Sequence, residues 1–225
     1  MQITPHLNTL KSAALVAAMT LAVLLNCERA RADDIQTAIF AGGCFWCVEA
    51  DFDKVDGVKE TVSGYTGGDV KNPSYKQVTR GGTGHYEAVR ITFDADTVSY
   101  RRLVDLFFRS VDPTDAGGQF CDRGESYRTA VFALDPAQAQ AAKAAKAEAR
   151  AELGQEIVTP ILDAGTFWKA EDYHQNYYQR DDRVLTRFGW IPMSKAYDRY
   201  RDACGRDQRV RQLWGADAPF VKTGS

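Results

Sequence analysis

The most regular alternation of apolar and polar positions lies between Tyr86 and Asp94. Val89, Ile91 and Phe93 share one parity, so they share one face of a predicted strand, and that face is the core. Glu87 has the same parity and therefore also points inward. A second apolar run, Thr37-Ala38-Ile39-Phe40, reads as a buried strand, and Val58 to Val62 as a third strand with alternating character. Helical spacing of Leu103, Val104, Leu106, Phe107 and Phe108 predicts a buried stripe on a helix capped by Thr97 or Ser99 and ending at Arg109. Asp135-Pro136 opens a longer helix rich in Ala, Lys and Glu, which Gly154 stops. That helix lies between the predicted strands Tyr127–Leu134 and Ile157–Ile161, an order that calls for a crossover and a parallel pair.

The remaining stretches are connections. Ser63 to Gly68 is a glycine-rich loop, Asn72-Pro73-Ser74-Tyr75 a turn into a short helix through Val78, and Arg80 to Gly84 a flexible link. Residues 112–124 form a long polar loop of the kind that usually carries function in a compact domain. The aromatic and polar stretch from Phe167 to Tyr178 is predicted helical at its end, and Val210 to Trp214 is a short amphipathic piece. The pattern as a whole predicts an α/β or α+β fold, a mixed sheet with helices packed on it.

The N-terminus changes the domain picture. Residues Ala13 to Leu25 contain only Thr20 as a polar residue and follow Lys11, and Ala30-Arg31-Ala32 matches a small-x-small cleavage site. This predicts a secretory signal peptide at 1–32, cleaved after Ala32, and export to a compartment such as the periplasm. Lipid attachment at Cys27 and an uncleaved anchor are the alternatives. The mature chain, 33–225, is long enough for one domain that buries about 70 % of its unfolded surface. Its removed segment carries Lys11, Arg29 and Arg31 against Glu28, a +2 taken from a net −2, so the mature net charge is −4. Basic and acidic residues are interspersed, which predicts no nucleic-acid partner, and no later apolar run spans a membrane.

The chemistry is expected at Gly42-Gly43-Cys44-Phe45-Trp46-Cys47, between the Thr37–Phe40 strand and a helix starting near Val48. Glycines permit a tight turn there, and a cysteine at a helix N-terminus is expected to have a lowered pKa and to act as a thiolate nucleophile. Glu87, buried without a paired cation, is expected to have a raised pKa and to serve as a general acid. Four cysteines lie in the mature chain: Cys44, Cys47, Cys121 and Cys204. They are too few for a disulfide scaffold and lack the second close pair of a zinc site, so redox chemistry without a metal is predicted.

Four segments in order, Gly43-Cys44-Phe45-Trp46, Gly84-His85-Tyr86-Glu87-Ala88-Val89, Tyr127-Arg128-Thr129-Ala130 and Glu171-Asp172-Tyr173-His174-Gln175, resemble peptide methionine-S-sulfoxide reductase, type A. The resemblance runs from about Phe40 to Tyr178. It implies a two-layer α/β sandwich with a ferredoxin-like core, and reduction of the S epimer of methionine sulfoxide, free or in proteins. It makes Cys44 the attacking thiolate, Glu87 the proton donor, and Tyr75 and Tyr127 the hydroxyls that hold the sulfoxide oxygen. Phe45 and Trp46 become the apolar wall for the S-methyl group, and Asp122 and His174 the grip on the substrate backbone. It implies no bound cofactor, a likeness to enzymes recycled by thioredoxin, and a monomer.

The reaction leaves Cys44 as a sulfenic acid that a second thiol condenses with. The commoner signature has Gly where Cys47 stands, so the second thiol stays open among Cys47, nearest in sequence, Cys204 in the tail and Cys121 in the long loop close to Asp122. Cys204 is favoured, because a three-residue spacing at a helix start places Cys47 deeper. Two other classes stay open on sequence: a thioredoxin-like disulfide oxidoreductase, from strand, Cys-x-x-Cys and helix, and an exported thiol protein binding zinc or copper.

Overall fold

The computed structural model describes residues 34–221, so the predicted signal peptide and Cys27 lie outside the described residues. The chain begins with β1 (Ile35–Gly42), α1 (Phe45–Phe52), β2 (Val58–Thr66), α2 (Tyr75–Arg80) and β3 (Tyr86–Asp94). It continues through α3 (Tyr100–Ser110), a small hairpin of β4 (Gly118–Gln119) and β5 (Asp122–Arg123), then β6 (Thr129–Ala133) and α4 (Pro136–Leu153). The last third holds β7 (Ile161–Asp163), β8 (Trp168–Lys169), the hairpin β9 (Arg183–Thr186) and β10 (Gly189–Pro192), and helices α5 (Met193–Ala203) and α6 (Arg206–Trp214).

Six strands form one sheet in the order β7-β6-β1-β3-β2-β8. The central four, β6-β1-β3-β2, are all antiparallel, with β1 between β6 and β3. With α1 and α3 as the two crossover helices, this is the ferredoxin-like arrangement. The Ala-rich α4 then returns the chain to β7, which pairs parallel with β6. Gln138, Ala142, Ala145 and Ala149 form the buried stripe of α4, and its small side chains let it lie close to the layer beneath.

The two faces of the sheet differ. Phe40, Val89, Ile91, Phe93 and Val131 meet α1 and α3 through Val48, Phe52, Leu103 and Phe107 in the main core. Ile39, Ala41, Tyr86, Ala88 and Phe132 form a smaller cluster on the other face. Period-2 alternation therefore assigns Glu87 to the helix side, where the structure also places it.

Several boundaries differ from expectation. Residues 157–160 are not a strand; Thr159 and Pro160 present their carbonyls to Lys146 and Val131, and pairing starts at Ile161. The strand predicted from Tyr127 starts at Thr129, because Glu125–Tyr127 forms a tight 3-10 turn instead. The Phe167–Tyr178 stretch contains β8 and two such turns rather than a helix. Hairpin β9–β10 and helix α5 had no sequence expectation. Both have a weak apolar pattern because their buried positions face the site rather than the sheet core. Among the described residues no helix is long and apolar enough to cross a membrane.

Candidate active site

The site is built on the turn from β1 into α1. Gly43 has φ +79°, and a Cβ there would lie 2.5 Å from Cβ of Gln119, so only glycine fits. Cys44 is the N-cap of α1 and presents its side chain to a cavity of about 540 Å³. The turn carries two neighbours with it: Phe45 and Trp46 line the same cavity, and so does Cys47.

Glu87 reaches the turn from β3. Its Oε2 accepts the backbone N–H of Phe45 at 3.1 Å, which gives the carboxyl one of the unsatisfied donors at the start of α1. Its Oε1 is buried without a hydrogen-bond partner. Burial pushes the Glu87 pKa up to about 8, assisted by the negative charges of Asp122 and Cys47; the Phe45 N–H and the Tyr127 hydroxyl oppose the shift without cancelling it. Glu87 is therefore mostly protonated at neutral pH. Glu49 is a second buried carboxyl, raised to about 7 chiefly by desolvation. It does not line the cavity; its Oε1 accepts the Asn176 backbone N–H at 3.0 Å and fixes the segment behind α1.

Tyr75, at the start of α2, and Tyr127, in the 3-10 turn before β6, line the cavity with their hydroxyls paired to one another. Burial and the Glu87 charge push both pKa values up, so both are neutral O–H donors. Glu171 holds Tyr75 in place: its Oε1 accepts the Tyr75 backbone N–H at 2.9 Å and its Oε2 the Tyr65 hydroxyl at 3.0 Å. Tyr65 faces Glu87 across the β2–β3 pairing. These two positioning residues were missed as site residues. Tyr65 falls in the stretch whose glycines predict a loop, and Glu171, although it opens one of the four family-like segments, has no spacing that marks it as a partner of Tyr75.

Trp46 stacks on Tyr177 at 3.8 Å between ring centroids and donates its indole N–H to Nδ1 of His174 at 3.2 Å. His174 is buried beside Phe45, Trp46 and Tyr75, and it does not line the cavity. Desolvation lowers its pKa to about 4, so it is a neutral imidazole that fixes the indole rather than a group at the cavity surface. Asp122, by contrast, lines the cavity, its pKa raised by burial against the opposing charges of Arg206 and Arg187.

The two thiols of the turn share a hydrogen bond, and this reverses the sequence expectation for Cys44. The hydrogen bond to Cys47, together with burial and the charges of Cys47, Glu87 and Asp122, raises the Cys44 pKa. Cys47 is lowered to about 7, first by the same hydrogen bond and then by the guanidinium groups of Arg206 and Arg201. The helix N-terminus favours a thiolate at Cys44, but the shared hydrogen bond and burial oppose it there, while the guanidinium groups of Arg206 and Arg201 favour an anion at Cys47. The shared hydrogen bond and the two cations therefore favour Cys47 over Cys44 as the seat of the pair's negative charge.

Both guanidinium groups are buried and come from the C-terminal helices. Arg201 donates to Asp51 at 2.9 Å and to the Tyr197 hydroxyl at 3.0 Å; Arg206 donates to the carbonyls of Ser110 at 2.9 Å and Gly42 at 3.3 Å. Cys204 stands between them at the C-cap of α5, in a docked helical corner. It is disulfide-bonded to Cys121, with Cα atoms 5.0 Å apart, and both line the cavity. Cys47 is deeper than Cys204, as its spacing predicts, but it is the one in contact with Cys44. Cys121, Cys204 and Asp122 also cluster within 4.8 Å, but with the two sulfurs joined in a disulfide they offer no thiolate to a metal.

Comparison with known proteins agrees with this geometry. Residues 36–205 match the model of the family described as peptide methionine sulfoxide reductase. The chain is 54 % identical over 186 residues to peptide methionine sulfoxide reductase MsrA 2 of Rhizobium meliloti, covering 83 % of this chain and 87 % of that one. It is 45 % identical over 184 residues to peptide methionine sulfoxide reductase MsrA of Bacillus subtilis, covering 80 % and 97 %. Among solved structures, methionine sulfoxide reductase A of Corynebacterium diphtheriae superposes with a TM-score of 0.61 at 33 % identity, over 64 % of this chain and 73 % of that one. Reduced Mxr1 of Saccharomyces cerevisiae superposes with a TM-score of 0.61 at 32 % identity, over 64 % and 83 %. A Cys44 thiol and a protonated Glu87 facing one aromatic-walled cavity, on this fold and with these relatives, place the chain in the peptide methionine sulfoxide reductase family.

Proposed function

We propose that this chain reduces methionine-S-sulfoxide, free or in proteins, to methionine, with Cys44 as nucleophile and Glu87 as proton donor. The observation that carries the reading is the unpartnered Oε1 of a protonated Glu87 facing the same cavity as the Cys44 sulfur. Sulfoxide reduction needs a nucleophile at sulfur and a proton at oxygen together, and this pair supplies both.

The substrate methyl group rests against Phe45 and Trp46, where a thioether methyl gains from aromatic contact. The sulfoxide oxygen accepts from the hydroxyls of Tyr75 and Tyr127 and from Glu87. Asp122 offers a carboxylate to backbone N–H groups at the cavity mouth, and His174 acts through Trp46. Cys44 passes its proton to the hydrogen-bonded Cys47 thiolate as it attacks sulfur. The S–O bond breaks as oxygen moves to Cys44, giving methionine and a Cys44 sulfenic acid. Cys47 then attacks that sulfur, and water leaves with the formation of a Cys44–Cys47 disulfide. The contact between Cys44 and Cys47 favours this partner, whereas Cys204 is already bonded to Cys121.

The enzyme requires no bound cofactor in this scheme; a thioredoxin-like dithiol protein restores the thiols. Export is supported by the apolar run Ala13–Leu25 and the Ala30-Arg31-Ala32 site, and it places a monomeric enzyme with its reductant outside the cytoplasm. Resolved methionine sulfoxide epimers with dithiothreitol test the activity. S-epimer reduction lost in Cys44→Ser is expected, and turnover of the R epimer alone would overturn it. N-terminal sequencing of the secreted protein tests the cleavage.

A further inference from the structure

We propose that Arg187 forms a carboxylate subsite at the mouth of the Cys44 cavity, which takes the α-carboxylate of a free or C-terminal methionine sulfoxide. The proposal rests on the sulfoxide reductase reading above and names a substrate class within it.

Three guanidinium groups line the cavity, and two of them are already engaged. Arg201 is buried and donates to Asp51, Asp207 and the Tyr197 hydroxyl; Arg206 is buried and donates to the carbonyls of Ser110 and Gly42. Arg187 is exposed, so it stands at the rim. Among the described residues it meets rings rather than hydrogen-bond acceptors: its Cζ lies 4.8 Å from the ring centroid of Phe188 and 5.3 Å from that of Tyr200. Contact with ring faces holds a guanidinium without using its N–H groups as donors to oxygen, and these stay available for the two oxygens of a carboxylate.

Local structure builds this position. Arg187 and Phe188 are the two loop residues of hairpin β9–β10, in which Thr186 pairs with Gly189. Oγ1 of Thr186 accepts the Phe188 backbone N–H at 3.0 Å and donates to the Gly189 carbonyl at 3.0 Å, which closes the turn. Phe188 meets Tyr200 edge to face at 5.2 Å between centroids, and Tyr200 itself lines the cavity. The ring pair ties the hairpin tip to α5 at the edge of the cavity.

Asp122, on β5, lines the same cavity, and the Arg187 charge opposes the upward pKa shift that burial imposes on it. Among the described residues no ion pair joins the two, so both are open to a substrate. With the sulfoxide sulfur against Cys44, the substrate Cγ and Cβ carry its Cα outward to the mouth. A free amino acid then presents its ammonium to Asp122 and its carboxylate to Arg187. A C-terminal residue presents the carboxylate alone. An internal residue presents a neutral carbonyl, which accepts a weaker hydrogen bond than a carboxylate does. Arg187 therefore adds binding to the first two that the third does not receive.

The test compares the full chain with Arg187→Gln on three S-epimer substrates, with dithiothreitol as reductant. They are free methionine sulfoxide, its N-acetyl derivative, which mimics a C-terminal residue, and the N-acetyl methylamide, which mimics an internal one. In the variant, kcat/KM for the carboxylate substrates relative to the methylamide should fall about five- to tenfold, through KM. This ratio is independent of how much of the variant folds. A fall confined to the free amino acid would assign the subsite to free methionine sulfoxide, and one confined to the N-acetyl acid would assign it to chain ends. Ratios equal to the parent's for both acids would overturn the subsite and leave the sulfoxide reductase reading intact. No methionine from any substrate with the parent chain would instead overturn that reading, and the subsite with it. Arg187→Lys keeps the charge and should recover part of the fall; a ratio as low as in the Gln variant would overturn a subsite based on charge.

Discussion

The backbone N–H of Phe45 donates to Oε2 of Glu87 at 3.1 Å, and this one bond joins the nucleophile's turn to the acid's strand. It holds one carboxyl oxygen and leaves the other facing the cavity. A neutral amide in place of the acid keeps the bond through its carbonyl oxygen but donates a much weaker proton. Glu87→Gln is therefore expected to lower kcat/KM by about 10²–10⁴-fold with little change in fold, read with the S epimer and circular dichroism. Wild-type rates in this variant would remove Glu87 from the acid role.

The same carboxyl makes a pH prediction with a definite sign. Its pKa rises from 4.5 in the unfolded chain to about 8 in the fold, so the native state binds the extra proton between those values. Stability from this group is complete below pH 4.5 and is lost as pH rises toward 8. Glu49 adds the same sign, with its pKa raised to about 7. Activity that depends on protonated Glu87 should fall through pH 8. Denaturant melts from pH 5 to 9 should show a declining limb that flattens in Glu87→Gln, and an unchanged slope in the variant would contradict the assignment.

Arg206 is buried, pairs with Asp51 at 3.8 Å and faces Cys47. Replacing it with Met removes a cation from a site that keeps its anions. The Cys47 pKa should rise, shifting the alkylation profile of the reduced protein to higher pH. The broken buried pair should also cost about 3–5 kcal/mol of stability, measured by urea unfolding. An unshifted alkylation profile in a folded variant would place the Cys47 perturbation elsewhere.

The Trp46 indole depends on His174 for its hydrogen bond. His174→Leu leaves that part-buried donor without its partner, which costs about 1 kcal/mol. Because His174 stands behind the aromatic wall, KM should rise more than kcat falls. A large kcat loss at unchanged KM would mean that the imidazole contacts the reacting atoms.

Gly43 carries the tightest packing constraint at the turn. An alanine there adds a methyl group 2.5 Å from Gln119 and must keep φ at +79°. Gly43→Ala should therefore push Gln119 off Asp112, loosen the loop that carries Cys121 and Asp122, and destabilise the fold by at least about 2 kcal/mol. Hydrogen exchange at residues 112–124 should rise first, and protection equal to the parent chain would show that the turn tolerates the methyl group.

The local pattern alone was enough for much of this protein. Period-2 alternation put Glu87 on the core face of its strand, and Asp135-Pro136 and Gly154 marked both ends of α4, where the caps are local chemistry. The glycine pair before Cys44 announced the turn into α1. These features depend on neighbours within a few residues, so the sequence carries them directly. What it could not carry is which distant groups share a cavity. His174 lies behind Trp46 rather than at the cavity surface because Glu171 and Gln175 tie its segment to β2 and Tyr75. The Cys47 pKa is lowered because Cys44 hydrogen-bonds to it and because Arg206 and Arg201, some 150 residues further along, add their positive charge. Cys204 meets Cys121 because a hairpin and a helical corner converge there. Electrostatic energy depends on distance in space, and only the tertiary fold sets those distances.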